Sequence, residues 1–307
     1  MATVDVKLIK QLRDRTSLSM NDCKKALVES DGDIEVAIDL LKTWGDLKGK
    51  EKEARVATEG KVWTFSNHSA TIVGIAEVNC QTDFVANSKE FHGLLSILAN
   101  KLASDNMEKF ETLRKELVAK TGENIVLRRQ EVWADVPDNS FRVWYNHPGN
   151  RLATIVEFVA SSEEVFRKFR NMTYEIQMAK ETSFADDIAM QIAAMGPHVV
   201  SKNDLPKDTL ERQQKIFEAQ LAEEKKPAAA WPKIIEGKFG KWRKEVVLLE
   251  QESITTPKKS VGELLQEFST QLGGEIKISR FVRYALGEGL EKKIEDYAEE
   301  VNKLINQ

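Results

Sequence analysis

From Thr71 to Val78 nearly every residue is apolar or β-branched on both alternating faces, the pattern of a strand covered on two sides. A chain holding such a strand must build layers over both of its faces. The apolar run stops at Asn79, and polar residues follow until Asn87 or Ser88 offers a helix N-cap. Phe91, Leu94, Leu95, Leu98 and Leu102 then recur at helical spacing. Asp83-Phe84 therefore falls in a strand-to-helix loop, the kind of segment in which function concentrates. On the residues alone, Phe84 either folds back onto the helix with Asp83 capping it, or serves a contact of its own.

The 307 residues suffice for two or three domains with buried cores. With 45 basic and 49 acidic residues, the whole chain has no pull toward phosphate backbones, so the reading has no direct nucleic-acid partner. No apolar run approaches the roughly 20 residues that span a bilayer, and the N-terminus lacks a signal-peptide core. These features predict a cytoplasmic protein without a membrane partner. The two cysteines, Cys23 and Cys80, read as a helix interior and a strand end, not as a disulfide framework.

Residues 1–45 read as a three-helix bundle of the ubiquitin-associated type. Leu8, Ile9 and Leu12 mark the first helix. Ser19-Met-Asn-Asp22 opens the second as a capping box, with Cys23, Ala26 and Leu27 inward. Asp33 caps the third, where Ile34, Ala37, Ile38 and Leu41 share one side and Gly45 supplies the stop. Such a bundle is a docking module. Residues 46–59 turn charged and read as a partly helical linker.

The remainder predicts a duplicated α+β core of antiparallel strands with helices. Core subdomain N, 60–140, holds a hairpin of Lys61 to Phe65 and Ala70 to Val78, the helix after the Asp83-Phe84 loop, and a helix to about Lys120 with Phe110, Leu113 and Leu117 inward. Gly122 lies past its end, and Ile125 to Val132 is a strand. Core subdomain C, 141–275, repeats the plan: Phe141 to Tyr145, a turn at His147-Pro-Gly-Asn150, and Arg151 to Val159. Ala-Thr-Ile-Val recurs at 70–73 and 153–156, and Val-Leu-x-x-Gln-Glu at 126–131 and 247–252, which marks both closing strands. A helical stretch between Ser161 and Asp187, a helix from Asp187 to a Gly196-Pro197 stop, and a charged helical hairpin at about 205–245 are inserted in the second copy. A module at 276–307 follows the helix from Val261 to Phe268. It holds a strand from Ile276 to Leu286 and a last helix with Leu290, Ile294, Tyr297, Ala298 and Val301 on one side.

Three strings together resemble the elongation factor Ts family: Leu12 to Leu27, Glu77-Val-Asn-Cys-Gln-Thr-Asp-Phe-Val85 with Phe91 beyond it, and Gly287-Glu-Gly-Leu-Glu-Lys-Lys293. The stretch at 161–186 is extra to the common family pattern, and Ser17 and Asn21 stand where the family usually has glycine and often methionine. The resemblance implies a guanine nucleotide exchange factor of translation elongation that binds elongation factor Tu, its G domain and a neighbouring domain, and promotes GDP release without chemical turnover of its own. It implies that Thr82, Asp83, Phe84 and Val85 form a wedge entering elongation factor Tu near its magnesium site. It implies further that Leu12, Arg13, Met20, Gly122, His147, Gly287, Glu288 and Gly289 approach the partner. The hairpin would then serve self-association, giving a homo-oligomer, or partner contact.

No phosphate loop, HExxH helix, CxxC pair or G-x-S-x-G elbow is present, and Gly287-x-Gly289 lacks the rest of a dinucleotide fingerprint. The reading therefore has no cofactor, no metal and no catalytic residue. The alternative class is a non-catalytic adaptor that binds some other protein through its bundle.

Overall fold

The structure, a computed structural model, describes residues 5–16, 18–52, 57–67, 70–99 and 106–290. The expected terminal helix beyond Leu290, together with Ser17 and Leu102, lies outside the described residues. The fold is α+β, with N-terminal helices and two antiparallel three-stranded sheets. Strands β1 (Glu59–Ser66), β2 (Val73–Cys80) and β3 (Val126–Trp133) pair in that order, as do β4 (Ser140–Asn146), β5 (Leu152–Ala160) and β6 (Ile276–Ala285). By contact the chain divides into two units, one of residues 1–61, 77–129 and 285–307, the other of 62–76 and 130–284.

In the first unit, α1 (Val6–Thr16), α2 (Met20–Glu29) and α3 (Ile34–Lys52) close over Ile9, Leu12, Cys23, Ala26, Leu27, Ala37 and Leu41. The Ser19 hydroxyl accepts from Asp22 N at 3.1 Å, and the Asp33 carboxylate accepts from Glu35 N and Val36 N at 2.9 and 3.1 Å. Each satisfies donors that a helix start leaves orphaned. Helix α3 does not stop at Gly45 as the sequence predicts but runs to Lys52. A glycine inside a helix costs only about 1 kcal/mol, and α3 lies against α6, so tertiary packing overrides the stop. Helices α4 (Asp83–Ala86), α5 (Lys89–Ala99) and α6 (Asn106–Thr121) complete the unit, with Phe91, Leu94, Leu95, Leu98, Phe110 and Leu117 buried. Leu113, expected inward, is 39% exposed. Phe110, Leu117 and Val118 set the buried face, and at about 100° per residue Leu113 falls on its far edge.

Gly60 explains where the core begins. Its φ is +138°, and a Cβ there would lie 2.1 Å from the Val78 carbonyl oxygen, so only glycine lets β1 approach β2 this closely.

The second unit packs β4, β5 and β6 under α7 (Glu163–Met178), α8 (Phe184–Met195) and α11 (Val261–Leu272). Phe141, Phe158, Phe169 and Phe268 form a chain of aromatic contacts with centroids 4.5 to 5.6 Å apart, and Phe184 stacks on Phe268 at 4.3 Å. The stretch at 161–186 holds an ordered helix, α7, which gives Val165 and Phe169 to this core. Helices α9 (Lys207–Glu223) and α10 (Trp231–Val246) form the expected hairpin, zipped by Phe217, Phe239 and Trp242.

Two features of the repeat differ from the sequence reading. The third strand of the second sheet is β6, not residues 247–252. Those residues make a single parallel bridge to Val199 and a 3-10 turn, and Gln251, wholly buried, donates to Glu245 O at 2.8 Å and accepts from Gln191 Nε2 at 3.1 Å. The first copy of Ala-Thr-Ile-Val lies mostly ahead of β2. There Ala70 takes φ +54°, and the Asn67 side chain accepts from Ile72 N at 3.0 Å, so a closed turn delays the strand to Val73.

Arg142 and Glu157 face each other across β4 and β5. Glu157, 1% exposed, accepts from Arg142 Nε at 2.7 Å, Arg280 Nε at 3.0 Å and Ser279 Oγ at 2.8 Å, while Arg280 lies 4.3 Å over the Trp133 ring. Burial pushes the Glu157 carboxyl up, but the bonds from Arg280, Ser279 and Arg142 outweigh it and hold it below the usual carboxylate value of 4.5. A depressed folded-state pKa stabilises the fold above that unfolded value, and the stabilisation is lost as pH falls through the folded one. Thermal unfolding of Glu157→Gln should therefore show a lower midpoint than wild type at pH 7 and a smaller loss on going below pH 4.5. Parallel pH profiles of the two proteins would contradict this.

Candidate functional site

Asp83 and Phe84 do not sit in open loop. They belong to a one-turn helix, α4, whose N-cap is Thr82: its hydroxyl accepts from Val85 N at 3.3 Å and its carbonyl from Ala86 N at 3.2 Å. A four-residue helix carries no periodic signal in sequence and does not pass the nucleation barrier alone. It is held from below. Val85 and Ala86 are buried, Lys61 Nζ donates to Asn87 Oδ1 at 2.8 Å, and the Ser88 hydroxyl both donates to Val85 O and accepts from Phe91 N, which starts α5. The Phe84 ring, by contrast, is 85% exposed and Asp83 is exposed. A large apolar side chain displayed on a fixed turn is the informative kind of exception to burial.

Behind the turn lies Glu123. One oxygen of its carboxylate accepts from Gln81 N and Thr82 N, both at 3.0 Å, and the other accepts from the Thr82 hydroxyl at 2.6 Å. Gln81 returns the contact by accepting from Asn124 N at 3.0 Å. Gly122 makes this delivery possible: at φ +76° it turns the chain out of α6, its N–H still bonded to Val118 O. Gly122 and the 82–85 turn are thus brought together through Glu123, which the sequence reading missed. The one local signal was an acidic residue directly after a helix-stopping glycine.

Within β2, three residues before Cys80, stands Glu77, wholly buried. It accepts from Arg128 Nη1 at 2.9 and 3.0 Å, from Arg129 Nε at 2.5 Å and from Gly287 N at 2.8 Å. Arg129 also donates to Ala285 O at 2.8 Å and pairs with the Glu288 carboxylate at 3.3 Å, and Arg128 donates to Glu288 O. The turn of Gly287, Glu288 and Gly289 is therefore tied to the strand that leads into α4. Glu288 and Gly289 are exposed. A charge inside a doubly apolar strand was readable as a sign of such pairing, because a buried carboxylate requires partners.

The remaining expected contact residues are scattered. Leu12 is fully buried in the bundle core, so it supports the bundle and does not form its surface. Arg13 is exposed and Met20 is 49% exposed. His147 belongs to the second unit, exposed in the β4–β5 turn, where its Nδ1 lies 2.9 Å from the Tyr145 hydroxyl and its N–H bonds Leu152 O.

Cys80, at the strand end that leads into α4, is buried and donates its thiol to Thr82 O at 3.2 Å. Burial first, then the charges of Glu123 and Glu59, push this thiol up to about 12. Together with buried Cys23 it should resist iodoacetamide at pH 8 in the folded chain and react fully in denaturant. Alkylation of the native protein at the rate of a free thiol, read by mass spectrometry, would contradict this packing.

Among the described residues no group of three His, Cys, Asp or Glu side chains could hold a metal ion, and no helix is long and apolar enough to cross a membrane. One strand thus leads into a turn that displays an exposed aromatic ring and, through Glu77, anchors a second exposed turn. The family model described as "Elongation factor TS" matches residues 81–288. Elongation factor Ts of Clostridium perfringens is 36% identical over 315 residues, covering 98% of this chain and 99% of that protein. Those of Clostridium botulinum (35%, 99% of both chains) and Symbiobacterium thermophilum (36%, 98% of both) are similar over the same extent. The chain belongs to the elongation factor Ts family.

Proposed function

We propose that this protein is the guanine nucleotide exchange factor for elongation factor Tu, acting without chemical turnover of its own. The observation that carries the reading is the Phe84 ring, 85% exposed on a turn that is anchored on every other side. A protein with no nucleotide site speeds nucleotide release by binding the nucleotide-free partner more tightly than the loaded one, and linkage makes the coupling reciprocal. Phe84 enters between helices of elongation factor Tu near the magnesium site, with Asp83 against the same region, and magnesium and phosphate lose support. Burying a phenylalanine ring contributes roughly 1.5–3 kcal/mol. That shifts an equilibrium roughly 10- to 100-fold. Arg13 and Met20 of the bundle, and Glu288 with its flanking glycines, hold the wedge in place. The Met20 thioether suits an adaptable contact.

The test is release of a fluorescent GDP from elongation factor Tu. The chain, added well below the concentration of its partner, should accelerate release of the whole pool. A folded chain that leaves the rate unchanged, yet binds, would leave the adaptor reading.

A further inference from the structure

We infer that Glu123 is a positioning residue for exchange: its carboxylate sets the Thr82 cap and thereby the direction in which Phe84 is displayed. The inference rests on the exchange reading above and deepens it.

Three observations converge on Glu123. First, its two oxygens are used differently: one accepts the consecutive backbone N–H groups of Gln81 and Thr82, the other accepts the Thr82 hydroxyl proton at 2.6 Å. Bonds to an ionised acceptor are the strong, direction-setting kind. Second, the Thr82 hydroxyl has a single proton. With that proton committed to Glu123, its lone pairs are turned to Val85 N, the contact that caps α4. Donating to a carboxylate also makes the hydroxyl a better acceptor. Third, α4 is only four residues long, so its geometry is imposed by its anchors and not by its own hydrogen-bond ladder. Glu123 is itself rigidly delivered, since its N–H bonds the Thr121 hydroxyl at 3.2 Å, and that hydroxyl donates to Leu117 O at 2.8 Å. The bonds that Glu123 accepts all come from Gln81 and Thr82, so it acts through the cap.

The corresponding experiment measures GDP release against concentration of the chain for wild type, Phe84→Ala, Glu123→Gln, Thr82→Val and the double variant Glu123→Gln/Thr82→Val, each checked for a wild-type melting midpoint. Glutamine keeps the shape of glutamate but loses the charge and cannot serve all three donors. Glu123→Gln is expected to lower the maximal release rate about tenfold, the size that follows from weakening one charge-assisted hydrogen bond. Its half-saturating concentration should stay within about twofold, because the bundle and the 287–289 turn still dock. The double variant should be little worse than either single one, as expected when two groups act as one unit. A loss confined to half-saturation, additive losses, or wild-type exchange by Glu123→Gln would each overturn the inference while Phe84→Ala still reports on the wedge. If Glu123→Gln does not keep its melting midpoint, Thr82→Val is read by the same criterion, with an unchanged maximal rate counting against the role. A wild type that fails to accelerate release would instead remove the exchange reading, and the positioning role with it.

Discussion

Glu77→Ala should cost about 3 kcal/mol of folding stability, the low end for breaking a buried ion pair because the arginine partners are a quarter exposed. The carboxylate is fully buried and gathers four short bonds from Arg128, Arg129 and Gly287 N. Its removal leaves two guanidinium groups and a backbone N–H without their shared acceptor, inside a strand whose other side chains, Asn79 apart, are apolar. For a chain of 307 residues each kcal/mol lowers the melting midpoint by roughly 1.5 °C. Differential scanning calorimetry of Glu77→Ala and Glu77→Gln checks this. Glutamine, which still accepts but carries no charge, should fall between wild type and alanine. A midpoint for Glu77→Ala within a degree or so of wild type would show that the arginines find solvent as readily as the carboxylate.

Phe84→Ala should lower acceleration of GDP release roughly 10- to 100-fold, from the apolar burial that the ring supplies. The same variant should not lower the melting midpoint, because the ring is 85% exposed and supports nothing in its own chain. Surface substitutions away from packing usually stay within about 0.5 kcal/mol. The pairing of a large functional effect with no stability effect is the signature expected of a wedge. Equal acceleration by wild type and Phe84→Ala would keep the function and move the mechanism to another group.

Much of this architecture was readable from periodicity. The helical face of Phe91, Leu94, Leu95 and Leu98, the hairpin around His147-Pro-Gly-Asn150 and the N-cap at Ser19, without the reciprocal half of a capping box, are local signals that the fold keeps. Where reading and structure part, tertiary context decides. Gly45 reads as a stop, but α3 packs against α6 and continues. Residues 247–252 read as a strand, since Val-Leu-Leu resembles one, yet their backbone is taken up by the bridge to Val199 and a tight turn, and β6 fills the sheet position. The Asp83-Phe84 segment was legible as a special site through its motif, but not as a helix, because four residues show no period. Glu77 and Glu123, the carboxylates that brace the two exposed turns, carry long-range bonds to residues some 40 to 210 positions away, and no local pattern encodes those partners.

The most direct measurement compares the affinity of the wild-type chain for nucleotide-free and for GDP- and magnesium-loaded elongation factor Tu by calorimetry. Exchange through linkage requires tighter binding to the nucleotide-free form, by the same factor by which the chain weakens GDP binding. Equal affinity for the two forms would contradict it, because a partner that does not distinguish the states cannot shift the equilibrium between them.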